Sequence, residues 1–130
     1  MSDMLEALLC LPRVYNFRVS PDQRHVAFTW GNVHENIDVF IAPTNASLPP
    51  TYLTKTPEAT VLVDWTSDSG HLIVREDKGR NERARLFRVA IGEPGVMYPL
   101  TMEDPPFFLR GGVLHPNNKW LLYGANYDFS

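Results

Sequence analysis

At 130 residues, 44% apolar and 21% charged, the chain has the length and composition to fold around a core, which excludes a disordered segment. Fifteen acidic residues outnumber twelve basic ones, for a net charge of −3, and this argues against a nucleic-acid partner, which asks for a basic face. A single cysteine, Cys10, excludes an internal disulfide and a thiolate-built zinc site.

The first twelve residues predict a helical arm. Ser2 or Asp3 can cap it, Leu5, Leu8 and Leu9 share a helical face, and Pro12 ends it. No Lys or Arg precedes the apolar run Leu5 to Leu11, and the run is too short to span a membrane. Leu8-Leu9-Cys10 has the look of a lipoprotein cleavage site but lacks the basic start and the long apolar core. Asn45-Ala46-Ser47 fits the glycosylation pattern and, without an export signal, reads as a loop. The expected location is cytoplasmic, with no membrane partner.

From Arg13 the pattern becomes short strands separated by turn residues. The first group is expected near 14–19, 25–30, 37–42 and 51–54, and the second near 60–65, 71–76, 85–90 and 97–101. Two more strands follow near 108–114 and 119–124. These groups repeat. Ser20-Pro21-Asp22 before Val26-Ala27-Phe28 recurs as Thr66-Ser67-Asp68 before Leu72-Ile73-Val74, and as His115-Pro116-Asn117 before Leu121-Leu122-Tyr123. Phe40 recurs as Phe87, and Leu53-Thr54 as Leu100-Thr101, each 47 residues on. A period of about 40–50 residues with several short strands per unit predicts an all-β fold, a partial β-propeller of four-stranded antiparallel blades. The expected division is a helical arm at 1–12, blades at 13–57 and 58–105, and half of a third blade at 106–130.

The repeated phrase has a physical basis. Pro21 and Pro116 preset φ for a tight turn, and Asp22, Asp68 or Asn117 follows with a side chain able to bond nearby amides. The next position needs a residue tolerant of positive φ. Asn118 suits it, Gly70 lies one place away, and Gln23 suits it less well. The apolar runs after the turns suit strands covered on both faces.

Closed propellers use about four to eight blades, and about two and a half are present. The end at Phe129-Ser130, within a unit, predicts a portion of a longer polypeptide; the other expectation is self-association through open blade faces.

Ser20-Pro21-Asp22 with its Val-Ala-Phe strand, Asp64-Trp65-Thr66-Ser67-Asp68, the Leu-Thr pairs and Arg85-Leu86-Phe87-Arg88-Val89 resemble the repeats of TolB-like propellers and of the N-terminal propellers of the prolyl oligopeptidase family. The helical arm and the hairpin Glu76 to Glu82 are similar to the acylaminoacyl-peptidase-like branch of that family. Gln23, Ser67 and His115 depart from the family's usual repeat. The resemblance implies a serine peptidase whose propeller gates peptide substrates reaching a C-terminal α/β-hydrolase domain. The partners it implies are the remaining blades, the hydrolase domain and the peptide. The alternative is a non-enzymatic TolB-like propeller serving as an interaction scaffold.

No catalytic residue is expected in this chain, since no Gly-x-Ser-x-Gly elbow occurs. Ser20, Asp22 and His25 contain the residue types of a triad, but turn chemistry accounts for them. His25 and His71 fill one repeat position, expected to face the surface, and their spacing suits no metal. Gly92-Glu93-Pro94-Gly95 reads as a turn, not a phosphate loop, so no cofactor is expected. Tyr15, Phe17, Trp30, Trp65, Phe107, Phe108 and Trp120 read as blade packing. The densest charge cluster surrounds Arg75, Glu76 and Arg80, a solvated hairpin whose members are also the substrate-contacting candidates.

Overall fold

A computed structural model describes residues 13–31, 36–79, 83–101 and 109–125. They form ten strands: β1 (Arg13–Val19), β2 (His25–Gly31), β3 (Asp38–Pro43), β4 (Thr51–Tyr52), β5 (Thr60–Trp65), β6 (His71–Glu76), β7 (Arg85–Ala90), β8 (Met97–Pro99), β9 (Leu109–Leu114) and β10 (Leu121–Ala125). The arm expected to be helical lies outside the described residues. Among the described residues there is no helix, and so none long and apolar enough to cross a membrane.

The strands pair in chain order, every neighbour antiparallel: β1-β2-β3-β4, then β5-β6-β7-β8, then β9 with β10. Short polar turns permit only this, because a parallel return needs a crossover of a dozen or more residues. The fourth strands are shorter than their apolar patterns suggest, and the reason is a side chain. Leu53 donates its N–H to Val39 O at 2.8 Å, while Val39 donates its own to Thr54 Oγ1 at 3.0 Å. Leu100 donates to Leu86 O at 2.8 Å, and Leu86 to Thr101 Oγ1 at 3.0 Å. The threonine hydroxyl stands in for the next ladder carbonyl, so each sheet ends with its backbone groups satisfied.

Alternation along the middle strands lets the second sheet serve two cores. Leu72 and Val74 point to one face and join Ala27, Val39, Ile41 and Leu53 of the first sheet. Ile73, with Val63 and Leu86, points to the other face and meets Leu114, Leu121 and Tyr123. This is the physical reason for an unbroken apolar run in β6. The third run behaves differently: Leu122 is 77% exposed and Trp120 70% exposed, because β10 has a neighbour on one side only among the described residues. Of the other aromatics, Trp65 is buried, Phe28, Trp30 and Phe40 cluster on the outer face of the first sheet, and Tyr15 and Phe17 are exposed. Phe107 and Phe108 lie outside the described residues.

The first strand of each group carries the same irregularity. β1 has an extra residue between Tyr15 and Arg18, β5 between Leu62 and Asp64, and β9 between Arg110 and Val113 opposite Gly124 and Leu122. β1 and β9 both lie against β5.

Candidate functional site

The turns before β2, β6 and β10 share one construction. Ser20 Oγ donates to Asp22 Oδ1 at 2.6 Å and accepts from His25 N at 3.0 Å, and Asp22 Oδ1 also accepts from Arg24 N. Thr66 repeats this with Asp68, Gly70 and His71. In the third turn Asn117 Oδ1 accepts from Lys119 N at 2.8 Å as the aspartates do, while His115 Nδ1 accepts from Asn117 N, two residues on, where the hydroxyls of the other turns accept from the amide five residues on. The hydroxyl, first, and then the backbone amide hold Asp22 below the usual carboxylate range; Asp68 is lowered likewise by Thr66 and then Gly70.

Positive φ falls on Gln23 (64°), Ser69 (60°) and Asn118 (60°), so in the second turn the left-handed residue is Ser69 and not its glycine neighbour. Two of these side chains reach the preceding turn. Ser69 Oγ accepts from Asp22 N at 3.0 Å, and Asn118 Oδ1 accepts from Ser67 N at 2.8 Å. Beside them Trp65 Nε1 donates to Arg18 O at 2.9 Å, and Leu114 N donates to Asp64 Oδ2 at 3.4 Å. Each unit is thereby tied to the next at the same end.

Ser20, Asp22 and His25 are not a triad. The serine gives its proton to the aspartate, and its contact with His25 is to the backbone N–H. His25 and His71 are half-buried rather than surface-facing, because each begins a central strand paired on both sides. Among the described residues no cluster of His, Cys, Asp or Glu is arranged to hold a metal ion.

The charged hairpin divides. Arg75, half-buried on β6 opposite Val61, lines a cavity of about 440 Å³ between β1 and β5. Asn16, Phe17, Arg18, Val61 and Val63 line it too. Glu76 turns away: its Oε2 accepts from Thr56 Oγ1 at 2.8 Å and Thr60 Oγ1 at 2.7 Å, which ties the loop after β4 to the edge of the second sheet. Arg80 lies outside the described residues.

Asn16, Phe17 and Arg18 all line this cavity, as do Val61, Leu62 and Val63. Leu62 and Val63 belong to the two opposite cores of the second sheet, so it is the strand itself and not one row of side chains that borders the space. Sequence reading found Arg75 but missed Asn16, Phe17 and Arg18. The one available signal was Gly111-Gly112 inside β9, a glycine pair that marks a bulge in the equivalent strand.

Sequence reading also missed Asp38, buried on β3, whose Oδ1 accepts from Thr54 Oγ1 at 2.9 Å. No protein-family model matches the chain, and no curated protein is significantly similar to it.

Proposed function

We propose that this chain is the N-terminal part of a β-propeller of the prolyl oligopeptidase family, of the acylaminoacyl-peptidase-like kind, and that it gates peptide access to an α/β-hydrolase domain of the same polypeptide. The observation that carries the reading is the pair of turn-to-turn ties, Ser69 Oγ to Asp22 N and Asn118 Oδ1 to Ser67 N. Sheets tied repeatedly at one end, with their first strands adjacent, support an arrangement that fans about a line near those strands. Units stacked in this way cover one another's faces and continue until the ring closes.

In this reading the gate does no chemistry of its own. Ser20 Oγ is engaged with Asp22 and its neighbouring amide, so no hydroxyl in that turn is poised as a nucleophile. Arg75 and Arg18, which border a cavity flanked by first strands, are the charged residues this reading offers to a passing peptide.

The coding sequence beyond the Ser130 codon tests the proposal. A frame running through further four-stranded repeats to a Gly-x-Ser-x-Gly elbow is the expected result. A frame that closes the ring and stops without that elbow overturns the peptidase and favours the TolB-like scaffold. Hydrolysis of peptide esters by the 130-residue chain itself would overturn the gating role.

A further inference from the structure

We infer that Gln23 ties the first sheet to a further unit packed on its other side, and that its partner is a backbone N–H in the turn of the ring's last four-stranded unit. Three turns place a residue of positive φ at the same point: Gln23 (64°), Ser69 (60°) and Asn118 (60°). At two of them the side chain reaches back to the preceding turn. Ser69 Oγ accepts from Asp22 N at 3.0 Å, and Asn118 Oδ1 accepts from Ser67 N at 2.8 Å. Gln23 is the remaining member of that series.

The surroundings of Gln23 account for its backbone and not for its side chain. Its N–H donates to Ser20 O at 2.8 Å, and its carbonyl accepts from Thr44 Oγ1 at 2.7 Å, which fixes the turn against the end of β3. The carboxamide is exposed and has no hydrogen-bond partner among the described residues. Glutamine gains nothing locally from the left-handed region, which glycine enters freely and asparagine enters by bonding nearby backbone. That strain is offset when the side chain carries a contact between units. Ser69, left-handed although Gly70 is its neighbour, shows this trade within the same chain. The carboxamide oxygen of Gln23 is an acceptor, as Ser69 Oγ and Asn118 Oδ1 are, so the matching group is an N–H.

A second copy of the chain is the poorer partner. The turn it would offer is the third, where Pro116 stands in the place of Ser67 and has no N–H. Asn117 N, in the place of Asp22 N, already donates to His115 Nδ1 at 3.2 Å. In the first two turns the hydroxyls of Ser20 and Thr66 bond the amide five residues on, and one amide of the turn is left for the neighbouring unit. The fitting partner is therefore a turn with Ser or Thr in that first place and an N–H left over at one of the next two. Its assignment to the last unit rests on the ring proposed above, whereas the back-reaching position of Gln23 rests on the repeat alone.

Amide hydrogen exchange followed by mass spectrometry, on the full-length polypeptide and on the 130-residue chain, tests the tie with Gln23→Gly. Glycine accepts a φ of 64° without strain, so the variant folds. In the full-length polypeptide the change is expected to speed exchange about fivefold or more in the turn of the last repeat. In the 130-residue chain it is expected to alter exchange nowhere beyond the first turn.

Unchanged exchange in the last repeat's turn, in a polypeptide that carries further repeats, overturns the role of Gln23 and leaves the ring standing. A coding sequence without further repeats overturns the ring and this partner together. Sedimentation of the 130-residue chain as an oligomer that Gln23→Gly dissociates overturns the assignment to the last unit and gives the tie to a second copy.

Discussion

Leu53 and Leu100 occupy the same place in successive sheets, 47 residues apart, and each donates its N–H across the ladder at 2.8 Å, to Val39 O and Leu86 O respectively. Leu53 is 1% exposed and Leu100 is 47% exposed. The difference lies in what comes next. Leu53 is covered by Leu62, Leu72 and Val89 of the second sheet, and its carbonyl accepts from Gly95 N at 2.8 Å. Leu100 faces β9 and β10, a two-stranded unit without counterparts of β7 and β8 among the described residues, across a space of about 410 Å³.

Truncating these two leucines therefore has unequal effects. Leu53→Ala is expected to destabilise the chain by about 2–5 kcal/mol through lost burial and a residual cavity. Leu100→Ala is expected to cost less than about 1 kcal/mol, since half of the side chain is already wet. Urea denaturation of both variants gives the comparison, and equal losses would contradict the covering role of the second sheet.

The ties between turns supply a second test. Ser69→Ala removes the acceptor for Asp22 N and is expected to cost about 0.5–1.5 kcal/mol. Asn118→Ala loses the bond to Ser67 N and also places a Cβ at φ 60° without the local bonding that asparagine provides, so it should cost about 1–3 kcal/mol. Gln23→Gly runs the other way. No side-chain bond to a neighbouring turn is lost, and relief of the φ 64° conformation should leave stability unchanged or raise it by up to about 1 kcal/mol. Thermal unfolding orders the three.

Asp38 and Thr54 form a buried polar pair that also finishes the first sheet. Thr54→Val withdraws a donor from Asp38 Oδ1 and the acceptor from Val39 N, both buried, and is expected to cost about 2–4 kcal/mol. Thr101→Val withdraws only the acceptor for Leu86 N at a half-buried position and should cost about 1 kcal/mol. Paired chemical denaturation curves check the ratio, and a larger effect at Thr101 would contradict it.

Acid should weaken the first two turns and spare the third. Asp22 and Asp68 have folded-state values below the ordinary 3.8. As pH falls, the unfolded chain takes up these protons first, so their contribution is intact above about 3.8 and is lost as pH drops through the lower folded-state values. Both groups are exposed, so the effect is modest and salt-sensitive. The double variant Asp22→Asn/Asp68→Asn should show a flatter acid limb of stability between about pH 5 and pH 2, since Asn117 already holds the third turn with an amide. An unchanged slope would mean that other carboxylates govern acid unfolding.

The strands and turns were legible because their causes are local. Alternation, Pro21, Pro116 and the Asp-or-Asn position act within a few residues, and the Leu-Thr pairs mark the place where a hydroxyl completes a ladder. Arg75 was legible only as one charge in a hairpin, and the engagement of Glu76 was not, because its partners Thr56 and Thr60 lie 20 and 16 residues away in the chain.

By itself, the sequence determined an all-β chain of short antiparallel strands in repeating groups, since apolar period and turn chemistry are written residue by residue. Tertiary structure alone decided which repeats are sealed and which are open, that Ser69 and Asn118 reach back across units, and that Arg18, Phe17 and Arg75 border one cavity. Those outcomes depend on residues some fifty positions apart meeting in space.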